Sequence, residues 1–281
     1  MADENGVPIW MRNRSNPLAT TTVVDYNIRN NTYNLYDVTF EAHNIHTLVT
    51  HHPSQVDRWL SNNAGRRQGL MVGLDVEWRP NTQPNTQNPV ATLQLCVGHA
   101  CLVFQIIHSP FFSHSLDSFL QDPNVTFFGV GIRADAEKLL RDYGLYVANV
   151  YDLRSLAEAK LRGYPHLSQA GLKTLCLHVL GVDVEKPQSI TRSFWDNTRL
   201  TAEQVQYASI DAFLSYEIGR RLIERDIWSF LSAVSVNSLC SFCHFSLLFL
   251  PFLIVTFACY VCIPKVCFYV SELRTFNYRC L

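Results

Sequence analysis

The chain has 281 residues, a formal net charge of −1 and a hydrophobic fraction of 48%. This length is enough for one large domain with its own core, and the near-neutral charge excludes a polybasic protein that binds nucleic acid by charge alone. Charged residues are scarce, at 17% against about 25% in an average soluble domain. The scarcity is concentrated after residue 226, where the charged residues are Lys265, Glu272, Arg274 and Arg279.

Composition divides the chain into three parts. Residues 1–35 are polar and rich in asparagine, without a periodic apolar pattern, and are predicted to be a disordered leader. Residues 36–226 are predicted to form one domain, and residues 227–281 form a hydrophobic, cysteine-rich tail. Only three of the nine cysteines precede the tail, which is typical of a protein in a reducing compartment. Since no secretory signal is recognised at the start, we expect a protein of the nucleus or cytoplasm, or both.

The first half of the domain is predicted to contain strands and one helix. Runs of β-branched and other apolar residues predict the strands, and Pro53–Asn62 has the spacing of an amphipathic helix. The Gly98–His99 pair predicts a tight hairpin between two of the strands. The predicted strands cover residues 36–40, 45–50, 70–78, 90–98 and 100–107.

From residue 113 onward, predicted helices alternate with predicted strands. Antiparallel strands followed by strand–helix units predict an α/β fold, a mixed sheet flanked by helices. Thr201 is the expected N-cap of the last helix. The predicted strands are 125–132 and 147–153, and the predicted helices are 113–122, 133–144, 153–163, 167–181 and 201–225.

The tail has three interpretations. Residues 245–263 are long and apolar enough for a transmembrane helix, which would anchor the protein to a membrane. Four cysteines have the spacing of a zinc site, although the apolar segment between them lacks turn residues. An abrupt apolar extension is also typical of a mispredicted gene end. The sequence leaves the anchor and the gene-model artefact open. The four cysteines are Cys240, Cys243, Cys259 and Cys262.

A pair of acids lies within the predicted strand 70–78. Residues two apart on a strand point to the same face, so Asp75 and Glu77 project together. Two carboxylates on a buried strand are costly unless they are paired or bind a metal ion. The alternative is a strand that has reached the rim of the sheet, where both acids are solvated.

Two further positions combine acids with strand or helix ends. Asp135 begins the helix that follows strand 125–132, which suits compensation of the helix dipole. The same position is the carboxyl end of a strand, where ligands collect in α/β sheets. Tyr207 and Asp211 are four residues apart and share one face of the last helix, an arrangement that is common and uninformative by itself.

In this order, the three motifs resemble those of the DEDD exonucleases, in the tyrosine-containing branch. The histidine branch would have His at position 206, where this chain has Gln206. The amino-acid sequence around these motifs is similar to that of the Werner-syndrome-type 3′–5′ exonuclease domain, particularly in small plant proteins that carry this domain without a helicase. The resemblance covers about residues 36–226 and implies a ribonuclease-H-like fold. The similar segments are VGLDVEW, ATLQLCVG with CLVFQ, FFGVGIRADAEKLLRDYG and QYASIDAFLSYEIGRRL.

The resemblance implies a metal-dependent 3′–5′ exonuclease that releases nucleoside 5′-monophosphates by a two-metal-ion mechanism, with Mg²⁺ or Mn²⁺ as cofactors. Asp75 would bridge the two ions. Glu77 and Asp211 would complete the site of the ion that activates water, and Asp135 would hold the other ion largely through its waters. Tyr207 would orient the attacking water, because an ordinary pKa near 10 makes a phenol a poor base at neutral pH.

The expected substrate is a single-stranded or recessed 3′ end, DNA rather than RNA by resemblance, and no nucleotide cofactor is expected. Trp78 and Trp195 are candidates for stacking on bases, and Leu93 is a candidate wedge against the terminal base. Arg133 and Lys138 are candidate phosphate contacts. Each of these has a structural alternative, core packing or a solvated charge. A non-catalytic nucleic-acid-binding module is the alternative function, which the intact set of acids disfavours.

Overall fold

A computed structural model describes residues 18–83, 86–161 and 163–241 of the chain, with side chains described to Glu224. The chain divides into two compact units, residues 1–226 and 227–281. The described part of the second unit is helical backbone. All strands of the described residues belong to the first unit.

The first unit is built on a mixed sheet of eight strands. The strands are β1 (Thr21–Asp25), β2 (Tyr33–Phe40), β3 (His43–Thr50), β4 (Leu70–Trp78), β5 (Val90–Val97), β6 (Ala100–Phe104), β7 (Val125–Gly129) and β8 (Val150–Asp152). Their order across the sheet is β1-β2-β3-β6-β5-β4-β7-β8. The β3/β6, β4/β7 and β7/β8 pairs are parallel and the other pairs are antiparallel. The strand β4 is an interior strand, paired with β5 on one side and β7 on the other.

Helices cover both faces of the sheet. They are α1 (Pro53–Asn63), α2 (His114–Leu120), α3 (Ile132–Tyr143), α4 (Leu153–Lys160), α5 (Leu172–Leu180), α6 (Gln188–Thr191) and α7 (Ala202–Ser241). Apolar residues of α1, α2 and α3 form one buried cluster with the sheet, and those of α4, α5 and α7 form a second. The predicted α/β architecture, a mixed sheet flanked by helices, is confirmed.

The helix α7 lies unusually close to β4. A Cβ atom at Gly73 would lie 1.9 Å from the backbone oxygen of Ala212 and 2.6 Å from the backbone nitrogen of Tyr216. Only glycine fits there, because both obstacles are backbone atoms that cannot turn aside. Side chains along β4 alternate between the two faces of the sheet. Those two and four residues after Gly73 therefore lie on the face that α7 covers, and those between them lie on the opposite face.

The N-terminus of α7 is capped as the sequence predicts. The Thr201 hydroxyl accepts a hydrogen bond from the Gln204 backbone N–H (3.2 Å), and the Gln204 side-chain oxygen accepts one from the Thr201 backbone N–H (2.9 Å). This reciprocal capping box satisfies two backbone donors that a helix start leaves open. The helix runs to Ser241, beyond the predicted end at residue 225.

The prediction of a disordered leader over residues 1–35 is wrong for its described part. Residues 18–35 contain β1 and the beginning of β2, and the Ala19 backbone N–H donates to the Asp183 carbonyl (2.8 Å). An edge strand such as β1 is held by backbone hydrogen bonds, and its side chains are mostly exposed. It therefore has no apolar periodicity to detect. Residues 1–17 lie outside the described residues.

Other departures from the predicted elements are local. The predicted helix 167–181 is a 3₁₀ turn (Pro165–Gln169) followed by α5, because Ala170 and Gly171 are extended. Of the tail, residues 245–263 and three of the four candidate zinc cysteines lie outside the described residues. Among the described helices, none has the length and apolar character needed to cross a membrane.

Candidate metal centre and nuclease site

Three carboxylates meet between β4 and α7. Asp75 and Glu77 extend from the strand and Asp211 from the helix, and each offers one oxygen within 4.8 Å of the others. The period of two along a strand and the spacing of the helix bring them together, and the close approach at Gly73 makes the distance short. The side chain of Asp211 is only 4% exposed. Asp75 and Glu77 are themselves partly buried, so the alternative of freely solvated acids at the sheet rim is wrong.

The cluster has more negative charge than the fold neutralises. Burial, followed by repulsion from Asp211 and Asp135, raises the pKa of Asp75 well above its ordinary value. Burial, followed by repulsion from Asp75 and Asp211, raises the pKa of Glu77 to about 10. Carboxyl groups in such a state hold protons until a cation replaces them.

Lys186 is a member of the site that sequence reasoning missed. It lies just before α6, and its ammonium donates to Asp211 Oδ2 (2.5 Å) and to the Tyr207 hydroxyl oxygen (3.3 Å). Although burial lowers the pKa of Lys186, the nearby Asp211 and Tyr207 raise it above its ordinary value. A single lysine in a loop has no spacing that links it to Asp211, so only the folded chain reveals the contact.

Tyr207 shares one face of α7 with Asp211, as the i, i+4 spacing predicts. Burial and then the negative charge of Asp211 raise the pKa of Tyr207 above its ordinary value, so the phenol keeps its proton. The ring of Trp195 packs against it at 6.0 Å between ring centroids. The phenol is thus held as a hydrogen-bond donor and acceptor next to the acids.

Asp135 lies beside the three-acid cluster and outside it. It lies in the first turn of α3, which follows Gly131, a residue whose φ of +70° favours glycine. The charge of Asp135 acts on both Asp75 and Glu77. Burial and then repulsion from Asp152 raise the pKa of Asp135 to about 7, against the opposing effect of Arg154. The sequence did not single out Asp152, although the end of the strand next to β7 was a signal for it.

Two of the predicted substrate contacts are corrected by burial, and a third is engaged in contacts within the fold. Leu93 and Trp195 are fully buried and belong to the core, so neither reaches a substrate in this structure. Lys138 is 8% exposed, and its ammonium contacts the Asn88 carbonyl (2.6 Å) and the Asp142 carboxylate (2.9 Å). The sequence of a strand or of a loop does not show whether another layer packs over its side chains. The burial of these residues therefore could not be predicted from the sequence.

Trp78 and Arg133 remain accessible. Trp78 is half-buried, with the Lys138 ammonium 5.1 Å from its ring centroid, and Arg133 is exposed. Trp78, Asp135 and Lys138 line a cleft of about 290 Å³. The cleft has an aromatic wall and contains Asp135, and its lining does not include the three clustered acids.

The residues fit a hard divalent cation. The three clustered groups are all carboxylates, and oxygen ligands of this kind suit Mg²⁺ and Mn²⁺. Gln94 pairs with Asp75 across the sheet and is fully buried, and its side-chain oxygen has no hydrogen-bond partner among the described residues. A buried oxygen left without a donor, next to acids with raised pKa, indicates a place for a cation and its waters.

Comparisons with known proteins agree with this geometry. Residues 50–225 match the model of a family described as 3′–5′ exonuclease. The chain is 36% identical over 155 residues to the bifunctional 3′–5′ exonuclease/ATP-dependent helicase WRN of Mus musculus. The aligned region covers 55% of this chain and 11% of the mouse protein. It is 36% identical over 149 residues to a 3′–5′ exonuclease of Arabidopsis thaliana, covering 52% of this chain and 50% of the plant protein.

A solved structure shows the same fold. RNase D of Escherichia coli matches with a TM-score of 0.50 and 23% identity, over 59% of this chain and 42% of that chain. The chain spans half or less of the length of the mouse and plant relatives. The predicted resemblance to the Werner-syndrome-type domain and the ribonuclease-H-like fold are confirmed. With the family model matching more than half of its residues, the chain belongs to the 3′–5′ exonuclease domain family.

Proposed function

We propose that this protein is a metal-dependent exonuclease that removes nucleotides from the 3′ end of nucleic acid and releases nucleoside 5′-monophosphates. The observation that carries the proposal is the meeting of Asp75, Glu77 and Asp211 within 4.8 Å, next to Tyr207. A binding module would gain nothing from these buried acids, since their burial costs free energy and any of them that ionises repels the phosphate backbone.

The cofactors we propose are two divalent ions, Mg²⁺ or Mn²⁺. When bound, they would supply a hydroxide at neutral pH and stabilise the leaving 3′-oxygen. Asp75, Glu77 and Asp211 would hold one ion, and Asp75 with Asp135 would hold the other. The position of Asp135 beside the cluster, with electrostatic influence on Asp75 and Glu77, supports this division.

The chain's own groups then have separate tasks. The Tyr207 phenol stays protonated and orients the attacking water by hydrogen bonding. The aromatic wall at Trp78 would contact the terminal base, and the exposed Arg133 would meet the phosphate backbone. Attack on phosphorus breaks the bond to the 3′-oxygen of the preceding nucleotide, which takes a proton and becomes the new 3′ end.

The substrate class we propose is a single-stranded or recessed 3′ end. The cleft beside Asp135 is small, about 290 Å³, which suits one nucleotide better than a duplex. We propose DNA, the substrate that the sequence resemblance implies, as the first to test, with RNA beside it.

The test is a nuclease assay of the whole chain. The substrates are recessed duplex DNA, single-stranded DNA and single-stranded RNA, each labelled at the 5′ end, with Mg²⁺ or Mn²⁺ or with a chelator. We expect a metal-dependent ladder that shortens from the 3′ end, with 5′-monophosphates identified by mass spectrometry. Asp75→Asn should lower the rate about 10³-fold, because several kcal/mol of charge stabilisation is lost and each 1.4 kcal/mol is about tenfold.

The matched control is Asp122→Asn, which removes an acid paired with Arg67 at a distance from the cluster. It should shorten DNA at the wild-type rate. Immediate release of the labelled nucleotide would mean attack from the 5′ end and would contradict the proposal. Retained binding without metal-dependent shortening would favour the non-catalytic module.

A further inference from the structure

Lys186 has more donors than its contacts in the fold use. An ammonium carries three N–H groups, and among the described residues its two acceptors are Asp211 Oδ2 and the Tyr207 hydroxyl. The side chain of Lys186 is 28% exposed, whereas that of Asp211 is 4% exposed. The third N–H group is therefore available to a group that enters the site from solvent.

The contact with Tyr207 also fixes the direction of the phenol's hydrogen. Lys186 has no acceptor, so in the 3.3 Å contact the ammonium must donate and the phenol oxygen must accept. The single hydrogen of Tyr207 then has to point elsewhere, toward the Thr191 hydroxyl, which also interacts with the phenol, or toward an acceptor that enters the site. A water molecule or phosphate oxygen between Tyr207 and the acids would compete with Thr191 for it.

The charges indicate what the ammonium is for. Asp75, Glu77 and Asp211 contribute three carboxyl groups, and the Lys186 ammonium contacts one of them, that of Asp211. Once divalent cations occupy the carboxylates, an ammonium 2.5 Å from one of them no longer has a carboxylate to neutralise. Its remaining natural partner is an anion, and a phosphodiester is the anion that the proposed reaction brings there.

We propose that Lys186 is a further catalytic residue, which donates to a non-bridging oxygen of the scissile phosphate and turns the Tyr207 hydroxyl toward the attacking water. This inference rests on the proposed exonuclease function. It assigns to Lys186 the role of a preorganised donor at the point where negative charge develops during attack on phosphorus.

The experiment compares Lys186→Met, Lys186→Arg and wild type in two independent measurements. The first is kcat and KM for 3′-end shortening, and the second is Mn²⁺ affinity by calorimetry without nucleic acid. We expect Lys186→Met to lower kcat about 100-fold, as loss of one transition-state donor does. We expect the same variant to bind Mn²⁺ more tightly than wild type, because a positive charge has left the ion's surroundings.

Two control variants distinguish a specific effect of Lys186 from a general effect of substituting a lysine. Lys173→Met removes another lysine paired with an aspartate, Asp183 at 3.0 Å, and should leave kcat and Mn²⁺ affinity within about twofold of wild type, as surface pairs contribute little. Lys186→Arg keeps the charge and the donors and should recover at least part of kcat. Circular dichroism and melting at saturating Mn²⁺ establish that each variant is folded.

Opposite changes in kcat and Mn²⁺ affinity distinguish a catalytic ammonium from a structural one. If Lys186→Met loses Mn²⁺ affinity and kcat together, Lys186 merely supports the fold of the site and the proposal is overturned. Unchanged kcat in Lys186→Met beside an active wild type overturns the Lys186 proposal alone. A wild-type protein without metal-dependent shortening overturns the exonuclease function itself, and the catalytic role of Lys186 with it.

Discussion

Two buried acidic regions of α7 have opposite electrostatics. Glu217 is 7% exposed, and it accepts hydrogen bonds from Arg220 at 2.6 and 2.8 Å and from Arg221 at 2.8 Å. Although burial acts to raise its pKa, the two guanidinium groups hold the pKa of Glu217 below its ordinary value. At the other region, Asp211 meets two more acids and one ammonium.

The difference teaches how a structural acid is distinguished from a functional one. Burial alone does not separate them, since both carboxylates are buried on the same helix. The separation comes from the balance of charge. The fold supplies two guanidinium groups to Glu217, one of them shared with Glu224, whereas it leaves the cluster at Asp211 short of positive charge, which a metal ion would supply.

The largest expected effect on stability comes from the glycine of β4 that packs against α7 between the two acidic regions. Gly73→Ala would push a methyl group into backbone atoms of α7 between Asp211 and Glu217, and should lower the free energy of unfolding by about 3 kcal/mol or more. Chemical denaturation measures this. Gly171→Ala, at a glycine with open space around its Cβ position, is the control and should cost less than about 1 kcal/mol. Equal stability of the two variants would contradict the close packing of β4 on α7.

Removing one carboxyl group from each region should lower the stability of the protein in one case and not in the other, an effect of intermediate size. Glu217→Gln removes a carboxylate from two partly exposed guanidinium groups and should lower stability by about 2 kcal/mol, which corresponds to a fall in Tm of about 4–8 °C for a domain of this size. Asp75→Asn replaces a carboxyl group that the metal-free fold keeps protonated with a neutral amide, and should leave the metal-free protein equally stable or more stable. Thermal melting in chelator compares them. A loss of stability in both variants would mean that the charges of the acidic cluster are already neutralised within the metal-free fold.

The smallest effect is on the pH dependence of stability in the metal-free protein. Because the folded pKa values of Glu77 (about 10) and Asp135 (about 7) lie above their unfolded values, their stabilising contribution is present at low pH and is lost as the pH rises from about 5 to 9. The lowered pKa of Glu217 acts in the opposite direction, since its contribution is present above its ordinary pKa and is lost as the pH falls through the folded value.

Melting temperatures measured in chelator across this pH range test the prediction. We expect Tm to decrease by a few degrees between about pH 5 and pH 9 and to recover when Mn²⁺ is added, because the ion replaces the protons on the acids. Asp75→Asn should weaken the alkaline decrease and Glu217→Gln should leave it in place. A Tm that is insensitive to Mn²⁺ at pH 8 would count against a metal centre in the cluster.

Much of the secondary structure followed from local pattern. The predicted strand 70–78 has the same bounds as β4, and the hairpin at Gly98 and the cap at Thr201 are confirmed, because each depends on residues that are neighbours in the chain. The strand β1 was missed, since its pairing with β2 depends on backbone groups that every residue carries.

The sequence by itself determined the α/β fold, through the strand and helix periods, and the family, through the resemblance of its motifs. It also predicted Asp75, Glu77, Asp135, Asp211 and Tyr207 as site residues. Only the tertiary structure decided which candidates are covered, namely Leu93, Lys138 and Trp195, since burial depends on the layer that packs above. It also decided that Lys186 contacts Asp211 and that Gly73 admits α7. These contacts join residues far apart in the chain, whose distance is set by packing and has no local pattern.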